Sequence, residues 1–155
     1  MDSIMPDPST PFGARVARRL REEHVIWLTT VDASGTPQPN PVWFLWDGDT
    51  VLIYNRNDAR RIAHVQRNPR VALHFDGDKQ GGDIIVITGT ARLMPQEPPA
   101  DQLPAYMDKY RHLLRRSFTP ESFAAAYSIA IRVRLRTVRG HHCGTAHASR
   151  TGQYA

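Results

Sequence analysis

The sequence predicts a mainly β fold with α: a small six-stranded antiparallel barrel with peripheral helices. Two observations carry this. The strand-like runs are joined mostly by short turn sequences, as hairpins require. The helical spacings interrupt them at three separate points instead of alternating strictly with them, as a parallel α/β sheet would demand. With 155 residues the chain is long enough for one hydrophobic core and short for two, so residues 1–155 read as a single domain.

Each element follows from its local pattern. Phe12, Val16 and Leu20 stand four apart among arginines and glutamates, predicting a helix over residues 11–23. From His24 the run is β-branched and aromatic, and it ends at the turn sequence Asp32-Ala33-Ser34-Gly35. A second strand spans Thr36 to Trp46, and its Pro37, Pro39 and Pro41 mark it as an edge, because proline cannot donate to a ladder. Asp47-Gly48-Asp49 turns the chain into a third strand, Thr50 to Asn55.

Asn57 or Asp58 then caps a short helix whose apolar face is Ala59, Ile62, Ala63 and Val65, stopped by Asn68-Pro69. Strands at residues 70–76 and 83–93 flank a polar loop from Gly77 to Gly82. Tyr106, Tyr110, Leu113 and Leu114 suggest a third helix. The last strand, residues 127–138, alternates Ile129, Ile131, Val133 and Leu135 with arginines, giving one apolar and one cationic face. Residues 1–10 and 141–155 have no readable period and are expected to be flexible.

Composition narrows the function classes. No apolar run approaches the length of a bilayer span, and the proline-containing start does not resemble a secretory signal, so a cytoplasmic protein without membrane contact is expected. The single cysteine, Cys143, excludes an internal disulfide. His141, His142, Cys143 and His147 are metal-ligand types, but their spacing does not match a closed zinc site, and no metal is expected. The net charge is +5, and nearly all basic residues are arginines. Such a surplus suits an anionic ligand, through bidentate contacts to phosphate or carboxylate, and it also suits a solvated surface.

Position favours the ligand at one junction. The third strand delivers Tyr54 and Asn55 to a helix start beside Arg56, Arg60 and Arg61. Free backbone N–H groups and arginines within one turn make a phosphate pocket, against the alternative of a solvated basic face.

Three segments, WLTTVDASGTPQPNPVWFLWDGDTVLIYN, ARRIAHVQRNPRVALHFD and IIVITGTARL, follow one another in this order. The ordered set resembles the pyridoxamine phosphate oxidase-like split β-barrels, which bind flavin mononucleotide (FMN) or the deazaflavin coenzyme F-420. The resemblance implies a homodimer with the cofactor site between subunits. It also implies that the cofactor ring lies against Asn40, Pro41, Val42 and Trp43, and that the phosphate is held by Tyr54, Asn55, Arg56, Arg60 and Arg61. Compared with pyridoxamine phosphate oxidases proper, the chain is short and has no Trp-x-Gly with spaced arginine and histidine near its end. It looks most like the F-420-dependent branch, with FMN as the alternative cofactor. Arginines 15, 18, 19, 132, 134 and 136 would meet the acidic tail of F-420, unless they form a solvated face.

The expected function is therefore an F-420-dependent reductase that moves hydride to a small organic substrate. No catalytic side chain is obligatory, and the proton donor is open among solvent, His74, Tyr54 and Tyr127. The rivals are an FMN oxidoreductase, a cofactor carrier, a haem-binding relative and a basic nucleic-acid-binding barrel. The last is disfavoured because Arg132, Arg134 and Arg136 have no aromatic neighbours on their face.

Overall fold

A computed structural model describes residues 4–142 and 145–150. Helix α1 (Pro11–Glu22) starts where Thr10 Oγ1 accepts a hydrogen bond from Gly13 N–H at 3.0 Å, with Pro11 in the first turn. Strands β1 (Ile26–Val31) and β2 (Pro37–Val42) form an antiparallel pair. Their turn is closed by Asp32, whose Oδ1 accepts from Ser34 N–H and Thr36 N–H, and Gly35 supplies the positive φ of 82°. Next come β3 (Leu45–Trp46), β4 (Thr50–Asn55), α2 (Arg60–Arg67), β5 (Arg70–His74) and β6 (Ile84–Leu93). A helical segment holds α3 (Pro104–Tyr110) and α4 (Pro120–Ala126), and β7 (Ile129–His142) and β8 (Thr145–Arg150) follow it.

All strands belong to one antiparallel sheet ordered β2-β1-β5-β6-β7-β4-β3, with β8 attached to β7 off this path. The two ends of the path, β2 and β3, are joined by only Trp43 and Phe44, so the sheet must curl back on itself. Strand β7 carries the split: one edge pairs with β4 through Ile129–Arg134 and with β8 through Thr137–His142. Opposite that change of partner, the register with β6 shifts between Thr88 and Gly89, leaving Arg136 as the extra residue of a bulge. Leu135 and Val138 therefore both point into the core, although strict alternation would forbid it.

The interior is filled by Ile26, Leu28, Val51, Ile53, Ile87 and Ile131, and α1 (Phe12, Val16, Leu20) and α2 (Val65) pack into the same cluster. A second cluster lies on the opposite face of β4 and β7, where Leu52, Tyr54 and Ala130 meet Tyr106, Tyr110 and Phe123 of the helical segment. Both faces of β4 are thus buried, which explains its unbroken apolar run.

Among the described residues the sheet has eight strands, not six. The expected strand at residues 36–46 breaks because the backbone of Phe44 is claimed by the helical segment. Its N–H donates to Tyr110 Oη at 2.8 Å, and its carbonyl accepts from Lys109 Nζ at 2.9 Å. The tail expected to lack structure supplies β8, and His147 stacks on Phe12 with ring centroids 4.4 Å apart. Residues 1–3 and 151–155 and Cys143 lie outside the described residues. The cap of α2 is Ala59, not Asn57 or Asp58, with no side-chain bond. Helix α4 is not legible in the sequence because Tyr127, the aromatic partner of Phe123 at helical spacing, reads as the start of the following strand. No helix among the described residues is long and apolar enough to cross a membrane.

Candidate functional site

The hinge of the site is Asn55, the last residue of β4. Its fully buried side chain donates from Nδ2 to Ile53 O at 3.1 Å and across the sheet to Ile129 O at 2.9 Å. With both donors spent on backbone, Oδ1 is free to accept from Arg61 Nε at 2.5 Å. That bond fixes the guanidinium of a half-buried arginine, the second residue of α2. Its two terminal nitrogens have no partner among the described residues. Burial pushes the Arg61 guanidinium down from its ordinary value, and the nearby Tyr127 opposes the shift. Arginine remains cationic at neutral pH regardless.

Arg61 forms part of the wall of two cavities. The larger, about 430 Å³, has a floor of Pro41, Val42 and Trp43 from the β2–β3 crossing, with Tyr54, Arg56 and Arg61 beside them. Its roof comes from the helical segment: Leu113, Leu114, Arg115, Phe118, Phe123 and Tyr127. The smaller, about 370 Å³, is polar and is lined by Asp32, Gln38, Asn40, Arg60, Arg61 and His64. A volume of this order, with aromatic walls and few convergent polar groups, is what a planar cofactor or substrate requires.

The aromatic walls are mutually braced. Trp43 stacks on Tyr110 at 4.5 Å between centroids, with planes 7° apart, and lies 5.6 Å from Phe123. Phe123 in turn stacks on Tyr127 at 4.6 Å. Tyr54 donates its hydroxyl to Pro98 O at 2.6 Å, and burial, reinforced by Glu97, pushes it up to about 12. It is a neutral wall with its proton already committed. Arg56 is exposed, paired with Asp58 at 3.5 Å and 6.0 Å from the Tyr127 ring centre.

The nine residues expected at the site therefore divide. Pro41, Val42, Trp43, Tyr54, Arg56 and Arg61 line the aromatic cavity, Asn40 and Arg60 face the polar one, and Asn55 is buried behind Arg61. The roof was not expected, because Leu113 and Leu114 read as a continuation of the third helix, whereas α3 ends at Tyr110 and residues 111–118 fold back over β4. His74 lies elsewhere: it stacks on Trp27 at 6.0 Å and does not line the cavity, which removes it as a proton donor there. Nor are all the surplus arginines available for an acidic tail. Arg132 is held by Glu97 and Asp47, Arg15 by Asp83, and Arg19 by Glu23, Asp83 and the Asp76 carbonyl.

Comparison with known proteins adds to this geometry. Residues 12–142 match the family model described as pyridoxamine 5'-phosphate oxidase. A search of curated proteins gives no match. Among solved structures, an F-420 reductase superposes with a TM-score of 0.62 at 24% identity, covering 78% of this chain and 94% of its own. A conserved hypothetical protein from Mycobacterium tuberculosis superposes at 0.65 and 19% identity, covering 100% and 99%. The haem storage protein HutZ from Vibrio cholerae gives 0.54 at 15% identity, covering 78% and 88%. At these identities the likenesses establish a shared fold.

Proposed function

Because the chain belongs to the pyridoxamine 5'-phosphate oxidase family, we propose that it is an oxidoreductase transferring hydride between reduced coenzyme F-420 and a small organic substrate. The observation that carries this reading is the Asn55–Arg61 clamp at the edge of an aromatic cavity. The donor set suits the cofactor: flat rings for a tricyclic ring system, and a preoriented guanidinium fork for its phosphate. FMN is the alternative. The polar cavity beyond Arg61 favours F-420, since FMN ends at its phosphate, whereas F-420 continues past it.

When bound, the deazaflavin supplies a hydride donor. The chain's own work is positioning. Arg61, with Arg56 and Arg60 near it, holds the phosphate, and Trp43 and Val42 fix the ring plane. The roof excludes water and orients the acceptor. Tyr54 braces the wall. Tyr127, whose hydroxyl has no partner among the described residues, and solvent remain as proton routes.

A homodimer belongs to the same proposal. Cross-strand rows Trp27–His74–Val86 and Thr29–Ala72–Thr88 lie half-exposed on the outer face of β1, β5 and β6. Those six side chains include no permanent charge, and a second copy would cover them. Fluorescence titration of the purified protein with F-420 and, separately, with FMN tests the cofactor. Saturable F-420 binding that Arg61→Ala weakens supports the reading. FMN binding alone transfers it to the flavin alternative, and binding of neither overturns it.

A further inference from the structure

Resting on the cofactor assignment above, we propose that the roof of the aromatic cavity selects the substrate. It takes a flat, largely apolar acceptor bearing one carboxylate, which Arg115 holds. Floor and roof come from different parts of the chain. The floor contains the residues expected to touch the cofactor, so the roof is the surface left for the second reactant.

The roof's chemistry is specific. Leu113, Leu114, Phe118, Phe123 and Tyr127 are apolar or aromatic, and Phe118 meets both Phe123 and Tyr127 edge-on at 6.0 and 6.2 Å. Such a box accepts a planar group by stacking on one ring and edge contact with another. Arg115 is the one charged side chain that the roof presents to the cavity. Its backbone is fixed by a turn in which Phe118 N–H donates to Arg115 O at 2.8 Å. Phe118 is itself anchored on the aromatic cluster, so the turn places Arg115 beside the box.

Among the described residues Arg115 has no neutralising partner. No ion pair or side-chain hydrogen bond involves it among the described residues, and the only carboxylate lining the cavity, Asp58, pairs with Arg56 at 3.5 Å. The cavity thus has three arginines against one aspartate, a field that attracts anions and repels cations. A guanidinium fork matches a carboxylate geometrically, and because Arg115 is exposed the contact is worth no more than a solvent-screened one.

Cinnamate and its neutral amide, cinnamamide, have nearly the same shape and differ in charge. Calorimetric titration of the full chain with each, with and without F-420, is the test. Cinnamate is expected to bind severalfold more tightly, the value of one solvent-screened charge-assisted contact. Arg115→Gln abolishes that preference while cinnamamide affinity and melting temperature stay unchanged, and Arg115→Lys retains part of it. Equal binding of the two probes, or a preference that survives Arg115→Gln, overturns the proposal. So does a loss of F-420 affinity in Arg115→Gln, which would make Arg115 part of the cofactor clamp. The titration without F-420 keeps the two readings separate: failure of F-420 to bind removes the cofactor assignment alone, while the probe preference still decides the role of the roof.

Discussion

The Asn55 side chain sits between two loyalties: its amide donates to Ile129 O across the β4–β7 ladder while its carbonyl accepts from Arg61 Nε. The sheet thereby sets the direction of the guanidinium. Arg61→Ala removes the proposed anion contact and the bond to Asn55. Cofactor affinity is expected to fall roughly ten- to a hundredfold, as for a lost charge-assisted hydrogen bond, and the buried Asn55 Oδ1, left without its donor, should cost up to about 1–3 kcal/mol of stability. Asn55→Ala leaves two backbone carbonyls short of a donor and should cost about 1–3 kcal/mol of stability as well as affinity. Titration and chemical denaturation of both variants separate the effects.

The outer rows of β1, β5 and β6 make the second prediction. Val86 stands opposite His74, which stands opposite Trp27. An arginine at Val86 would place an unpaired charge in the centre of any twofold interface there, while remaining tolerable on an open sheet face. Sedimentation equilibrium of Val86→Arg should show a monomer, with the circular dichroism spectrum of the parent. A dimer unchanged by the substitution places the interface elsewhere.

What the sequence reveals and what it hides follow from how local each cause is. The helix from Pro11 and strand Thr50–Asn55 are legible because their apolar periods are set by one or two packed faces. The prolines of β2 reveal an edge strand for the same local reason. The break at Phe44 is not legible, since it depends on Tyr110 and Lys109, more than sixty residues away. Strand β8 is also hidden: Thr145–Arg150 pairs through its backbone, and its small, polar residues carry no alternation. At the site, the strand-to-helix junction after β4 was legible as a cluster of arginines, but their division between two cavities and the roof above them needed the tertiary fold.

Gly89 shows how one local motif acquires a reason. A Cβ there would meet the Arg134 carbonyl oxygen and Val133 Cγ1, both at 2.6 Å, beside the register shift of β6 on β7. Gly89→Ala must therefore push the two strands apart at the bulge. A loss of about 1–3 kcal/mol, typical of overpacking, is expected in urea denaturation.

Tyr110 holds the two-residue crossing that closes the sheet. Its buried hydroxyl accepts from Phe44 N–H at 2.8 Å and lies 2.7 Å from His24 O, to which it donates. Tyr110→Phe preserves the stack on Trp43 but leaves a buried N–H without an acceptor. Stability should drop by about 1–3 kcal/mol, while Arg61-dependent anion affinity persists. A neutral substitution would mean that Phe44 finds another partner.

Lys109 gives the pH dependence. Its ammonium donates to Phe44 O at 2.9 Å and lies 3.8 Å from the Phe44 ring centre. Burial pushes its pKa down to about 8, against the opposing pull of Glu23. In the unfolded chain the amine returns to about 10.4. Between these values the unfolded chain binds more protons, so this group's contribution to stability rises with pH and is lost as pH falls through about 8. Tyrosines of the unfolded chain begin to titrate in the same window, near 10, but do so in both wild type and Lys109→Met, so their effect largely cancels in the difference. Unfolding free energies measured at pH 7.5 and pH 10 should show wild type gaining on the variant as pH rises. A flat difference would mean that the folded ammonium is solvated well enough to keep its ordinary affinity for protons.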